Sequence, residues 1–343
     1  MFKFYKNFEV LSVKSLVITT INKPTAALFK YRDILLDLGW KIIVVGDKKT
    51  PRDFDLPGAE YFNVEQQCEE FGELASLIPM NHYSRKNLGY LYAMRMGAEA
   101  IAETDDDNIP YDDKYPNFLP SLVKTPAVDV KGAVNVYSYF TSKKIWPRGL
   151  PLDKVNSFVD ENLATEKEVT CYVQQGLADL DPDVDAIYRL TVGDENIKFE
   201  PHKKLSLSPG CYSPFNTQNT LFDKQAFPLM LLPIGVSSRV TDIWKSYIAQ
   251  RLLWCMNSSV LFLSPSVYQL RNEHNLMKDF SEEIPLYTQV HNLIDLLENF
   301  TSDASDACEL MIEMYAYLNR NGFLGEIEVR LCELWIEEVK KYV

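Results

Sequence analysis

"SLVITTINKPTAALFKYRDILLDLGWKIIVVG", residues 15–46, decides the fold class. The β-branched run 15–21 predicts a strand. Pro24 stands where the first turn of a helix tolerates it, Leu28, Ile34, Leu35 and Leu38 recur at helical spacing as an inward face, and Gly39 stops the helix. "KIIVVG" then reads as a second buried strand. Such a β-α-β unit joins parallel neighbours through a right-handed crossover.

Working outward, "AEYF" (59–62) reads as a short third strand and "SRKNLGYLYAMRMG" (84–97) as a helix. Ser84 is its expected N-cap, Leu88, Leu91, Tyr92 and Met96 its apolar positions, and Gly97 its end. "AIAET" (100–104) follows as a strand, and "GAVNVYSYF" (132–140) reads as another. "TSKKIWPRGLPL" (141–152) is a turn-rich connection. Residues 160–260 mix short strands and loops with one clear helix, "DIWKSYIAQRLLW". Beyond about residue 285 the spacing turns helical, with Val290, Leu293, Ile294 and Leu297 on one face and Ile327, Leu331 and Leu334 on another. The expected division is an α/β domain over 1–280 and a helical appendage over 281–343, whose helices are a candidate surface for self-association.

Of the 343 residues 46% are hydrophobic and 24% charged, as in a globular protein. A net charge of −13 opposes binding to nucleic acid or to an anionic membrane. The six cysteines contain no C-x-x-C pair, which fits reduced core thiols in a cytoplasm. The first 20 residues carry lysines among their apolar positions, so no signal peptide is expected there, and no apolar run approaches a membrane span.

Open parallel sheets bind ligands beyond the carboxyl ends of their strands. The loops after "LVITT", "IIVVG" and "AIAET" should share that edge. The last of them carries three consecutive carboxylates, Asp105, Asp106 and Asp107. Like charges this close repel, so either water solvates them or a cation holds them. A D-x-D at a strand end suits a hard divalent cation that shares its oxygens with a diphosphate. Just upstream, Arg85, Lys86 and Asn87 fall at a helix start, where free N–H groups already favour an anion. Asp47 ends the second strand, either to accept from a base or ribose or as a turn aspartate.

"ITTINKPT", "VVGDKKTP", "RKNLGYLYAMRMGAEAIAETDDDNIPY", "WPRGLPL", "SPFNTQNTLF", "VTDIWKSYIAQRLLW" and "RNEHNLMKDF" resemble, in order, motifs of the STELLO-like glycosyltransferase family. The resemblance runs from about residue 15 to 280, and the C-terminal helices contribute little to it. More distantly, "WPRGLPL", "QQGLADLDPDVDAIYRL" and "TDIW" are similar to segments of the reversibly glycosylated polypeptides, which are UDP-arabinopyranose mutases. Both resemblances imply a GT-A fold: a Rossmann-like mixed sheet flanked by helices, with a nucleotide-sugar ligand. They further imply Mn²⁺ or Mg²⁺ on Asp105 and Asp107, with Asp106 sharing the ion or contacting ribose. Base and ribose would lie against Thr19, Thr20, Asn22 and Asp47, and the diphosphate against Arg85 and Asn87. Arg148 matches the arginine that carries sugar in the more distant family and would bind diphosphate or sugar. Asp242, at the start of its helix, is the implied acceptor-activating base or a plain N-cap. His274 would complete the metal site, and Gln218 and Asn219 are candidate ligands for sugar hydroxyls. Trp244 is expected in the core.

The implied activity is metal-dependent sugar transfer from a nucleotide-diphosphate sugar to a glycan or small-molecule acceptor in the cytoplasm. The alternatives are a sugar-nucleotide mutase or self-glycosylating protein, or a non-catalytic nucleotide-sugar-binding scaffold.

Overall fold

The computed structural model describes residues 13–160, 164–194, 196–270 and 275–343. β1 (Lys14–Thr19), α1 (Ala26–Asp37) and β2 (Lys41–Val45) form the expected unit, the two strands parallel from Ser15↔Lys41 to Thr19↔Val45. Thr25 caps α1 by accepting from the Leu28 N–H, and Ala27, Leu28, Tyr31 and Leu35 form the buried stripe. Gly39, at φ +74°, lets the chain reverse into β2. Leu38, expected inward, is 56% exposed, because the helix has ended and the chain is already turning.

β3 (Glu60–Phe62) extends this parallel set on one side and β4 (Ala100–Asp105) on the other. α2 (Val64–Leu77) and α3 (Lys86–Arg95) lie between them in the chain. α3 begins two residues later than expected. Ser84 is not its cap but lies inside a short 3₁₀ turn, Tyr83–Arg85, which the His82 ring caps by accepting from the Ser84 N–H.

Past β4 the sheet becomes mixed. It gains β5 (Asn108–Pro110), β6 (Leu122–Val128), β8 (Ala164–Thr170), β9 (Val173–Asp179), β10 (Lys204–Leu207), β12 (Asn219–Asp223) and β13 (Val260–Gln269). The order is β3-β2-β1-β4-β12-β9-β13-β10-β6-β8, with β5 on β13. β7 (Gly132–Ala133) and β11 (Cys211–Tyr212) make a separate small ribbon. The strand expected over 132–140 is confined to that pair. Asn135 donates its amide to the Ile145 carbonyl while its own carbonyl accepts from Ser138, turning the chain into α4 (Tyr137–Phe140). Antiparallel pairing of β12 with β4 sets Asn219 beside Thr104, and that of β13 with β5 sets Gln269 beside Asn108. Both pairings bring side chains to the acidic turn.

α5 (Ala186–Thr191) and α6 (Thr241–Cys255) precede α7 (Leu276–Asn299), α8 (Ala307–Arg320) and α9 (Glu326–Val339). Val290, Leu293, Ile294 and Leu297 are buried along α7, and Leu331 and Leu334 along α9. Ile327, grouped with the last two by spacing, is 48% exposed in the first turn of α9. These faces continue one apolar cluster that includes Val17 and Ile43 of the sheet, Trp244 of α6 and Trp335 of α9. Each such large side chain contributes roughly 1.5–3 kcal/mol by leaving water. The Trp335 indole donates to the Pro228 carbonyl at 2.9 Å. Among the described residues no helix is long and apolar enough to cross a membrane. All six cysteines are free, and Cys68 is exposed rather than in the core.

Gly89 decides how closely α3 seats on the sheet. A Cβ there would stand 2.4 Å from Val45 Cγ2 and 2.7 Å from Val17 Cγ1. Gly89→Ala is therefore expected to lower stability by about 1–3 kcal/mol, although alanine favours helix. Urea unfolding checks this, and an unchanged or raised midpoint would contradict the packing.

Candidate active site

The ends of β1, β2 and β4 open into one cleft of about 450 Å³, walled on its far side by the starts of α5 and α6. Thr19, Thr20, Asn22, Asp47, Asp105, Asp106, Asp107, Arg148, Gln218 and Asp242 all line it, as does part of Arg85. Asn87 and Asn219 do not. Asn87 bonds the N–H and carbonyl of Leu232 with its amide, and Asn219 is buried in β12 against Ser266. His274 lies outside the described residues.

The three carboxylates of the acidic turn are each held by one oxygen. Asp105 Oδ1 accepts from the Tyr83 hydroxyl and, at 3.0 Å, from Lys86 Nζ. Asp106 Oδ2 accepts from Thr20 Oγ1 at 2.5 Å and Asn22 Nδ2 at 3.0 Å. Asp107 Oδ2 accepts from Gln269 Nε2 at 2.9 Å, and Gln269 is held in turn by Gln218. No side chain among the described residues donates to the second oxygen of any of the three, though the Asp107 carboxylate also takes a backbone N–H. Burial, followed by the charge of Asp105, pushes the Asp107 carboxyl up to about 6 from the ordinary 3.8. Among the described residues no group of three or more acidic, histidine or cysteine side chains is placed to hold a metal ion.

The expected anion site at the start of α3 is not formed by its side chains. The Arg85 guanidinium turns inward to Gln67 Oε1 and to the carbonyls of Ala75 and Ile78. Lys86, fully buried, faces Asp105 and the Thr104 carbonyl. Helical position alone does not report this rotation, because the partners come from α2 and β4. Asp47 accepts from the Lys48 N–H at 2.6 Å and the His82 N–H at 3.3 Å, so its carboxylate ties two loops together at the cleft wall.

At the opposite end Arg148 has all five N–H donors engaged. Nε and Nη2 donate to Asp183 at 2.7 and 2.9 Å, Nη1 and Nη2 to Asp242 at 3.1 and 2.9 Å, and Nη1 also to the Arg239 carbonyl. Burial alone would raise the Asp183 carboxyl, but the facing Arg148 guanidinium outweighs it and holds the group below its ordinary value. Asp242 lies in the first turn of α6 without capping it. Its Oδ1 takes Arg148 and the Ile243 N–H, while Oδ2 takes Arg148 alone. Gly149 permits this approach: at φ +85° it has no Cβ, which would stand 2.3 Å from Ile243 Cγ2. Trp244 is in the core, as expected, against Phe323. Tyr83, Asp183, Arg239 and Gln269 were not picked out by sequence reasoning. Only the alternating acids of "DLDPDVD" gave a sign of Asp183.

A carboxyl raised to about 6 favours the folded state while protonated. That contribution is fully present below about pH 4 and is lost as pH rises through about 6, so the ligand-free protein carries an ionised, crowded Asp107 at pH 7.5. Asp107→Asn should stabilise it there by about 1–3 kcal/mol, with the gain vanishing near pH 4. Urea unfolding at both pH values reads the difference, and an equal gain at both would contradict the charge crowding.

The STELLO glycosyltransferases family model matches residues 239–343, which include Asp242 and the C-terminal helices that the motif resemblance had left almost out. "Probable glycosyltransferase STELLO2" of Arabidopsis thaliana is 30% identical over 347 residues, covering 95% of this chain and 44% of its own length. "Probable glycosyltransferase STELLO1" of the same plant is 28% identical, covering 98% and 45%. The chain thus spans under half the length of these curated relatives. A solved structure titled "Crystal Structure of a Mycobacterial Protein" superposes with a TM-score of 0.42 at 11% identity, covering 85% of this chain and 76% of its own, too loosely to carry an argument. The last third of this chain thus carries the STELLO glycosyltransferases family match, and nearly its whole length is similar to the two plant STELLO proteins.

Proposed function

We propose that the cleft takes a nucleotide-diphosphate sugar, with the GT-A arrangement of donor and acceptor, and transfers the sugar to an acceptor hydroxyl in the cytoplasm. The observation that carries this reading is the acidic turn: three carboxylates at the sheet's edge, each bonded through one oxygen to the side chains of the described residues. The donor set fits a hard divalent cation. Asp105 and Asp107 would hold Mn²⁺ or Mg²⁺, and Asp106, tied to Thr20 and Asn22, would face the ribose. Held there, such an ion would supply charge to offset that of the leaving diphosphate.

The arginines at the cleft support the same reading. Arg85 and Arg148 are already committed inside the protein, so neither guanidinium is left to meet a diphosphate. With all donors bonded and its charge retained, Arg148 is unsuited to the nucleophile role that self-glycosylation would need. It instead fixes the direction of Asp242. Asp242 Oδ2, with one donor bound, keeps a lone pair for an acceptor O–H. As the acceptor oxygen bonds the anomeric carbon and the bond to diphosphate breaks, the acceptor proton passes to that oxygen. Six free thiols suit a reducing compartment.

Thermal unfolding with nucleoside diphosphates and nucleotide sugars, with and without Mn²⁺, tests the proposal. Binding to the folded form alone adds about 2.7 kcal/mol at a hundredfold excess over Kd. One nucleotide class should stabilise the protein only with Mn²⁺, and Asp105→Asn should abolish that effect. Asp242→Asn should lower kcat by about 10²–10⁴ while sparing nucleotide binding. Intact mass after incubation should show no sugar adduct. Metal-independent stabilisation surviving Asp105→Asn, or an adduct on Arg148, would overturn the reading.

A further inference from the structure

Both walls of the presumed acceptor end hang from one carboxylate on a C-terminal helix. Glu283 of α7 is fully buried and accepts from three sides. Oε2 takes the Ala186 N–H at 2.8 Å, at the start of α5 and three residues after Asp183, and also the Tyr287 hydroxyl. Oε1 takes Arg239 Nε at 2.8 Å and also Nη2. Arg239 is the residue whose carbonyl accepts from Arg148, and both arginines line the cleft.

A second buried carboxylate grips the same segment further upstream. Oε1 of Glu328, on α9, accepts from the Ile234 and Gly235 N–H groups. A Cβ on residue 235 would come within 2.9 Å of that oxygen, so only glycine lets the carboxylate approach. Ser237 donates to the Glu282 carbonyl at 2.9 Å, and the His82 ring meets the Val236 carbonyl at 3.2 Å. Segment 233–242, which closes on itself where Thr241 Oγ1 donates to the Pro233 carbonyl and the Val240 and Thr241 N–H groups to the Ser237 carbonyl, is thus tied to helices that follow it by some forty to ninety residues.

We infer that Glu283 and Glu328 are positioning residues for sugar transfer: α7 and α9 hold the Arg148–Asp183–Asp242 clamp in register rather than merely enlarging the core. This rests on the proposed function for its kinetic consequence, but not for its structural one. Carboxylates suit the task because they accept only, and each group hydrogen-bonded to Glu283 among the described residues donates to it; a glutamine of the same size must turn an N–H toward one of them.

The test compares wild type, Glu283→Gln and Glu328→Ala by amide hydrogen exchange and by kinetics. In Glu283→Gln, exchange should rise at least tenfold in both 183–188 and 236–242. In Glu328→Ala it should rise in 233–238 alone. Elsewhere, including the acidic turn, exchange should stay within twofold. Nucleotide-induced thermal shifts should likewise be unchanged, while kcat falls at least tenfold in Glu283→Gln. Exchange that is unaltered, or raised throughout the protein, would overturn the inference, as would equal losses of nucleotide binding and kcat. If no nucleotide binds wild type, the proposed function fails and the exchange pattern still decides the bracing.

Discussion

Mutual repulsion among three adjacent carboxylates is the constraint that the rest of the cleft answers. In water the crowding of Asp105, Asp106 and Asp107 would be screened, but at the rim of a buried sheet it is not. The chain surrounds them mainly with neutral donors, Thr20, Asn22, Tyr83 and Gln269, and with one full cation, Lys86. Lys86 is buried beside a second buried pair, Lys245 with Glu103 at 2.7 Å, which also takes the Tyr90 hydroxyl. Removing one member of such a pair strands a charge in low dielectric, at a typical cost of about 3–5 kcal/mol. The half-buried negative turn therefore rests on charges set in the interior.

The far end of the cleft solves the opposite problem. There one guanidinium stands between two aspartates, its planar fork matching both at once. Charge is nearly balanced at this end and in excess of carboxylates at the other. An anionic ligand head would be driven from the acidic end unless a cation came with it, so the proposed orientation depends on the metal.

Much of this was legible in the residues themselves. The β-branched runs around α1, with Gly39 closing the helix, fix the parallel core, and three consecutive aspartates after a buried strand announce a special turn. What stayed hidden depended on partners distant in the chain. Arg85 looked like a cation at a helix start, but Gln67, 18 residues earlier, turns it inward. Asn87 meets Leu232 across 145 residues. Asp183 looked like one acid among several in a turn, and only its pairing with Arg148, 35 residues away, separates it from Asp181 and Asp185. The break at 132–140 is of the same kind, since alternating apolar residues cannot reveal that Asn135 will reach the Ile145 carbonyl.

The apolar cluster joining Val17 and Ile43 to Leu293 and Trp335 has a consequence for any shortening of the chain. A cut before α7 would bare apolar surface on both pieces, and each would then tend to associate through what had been interior.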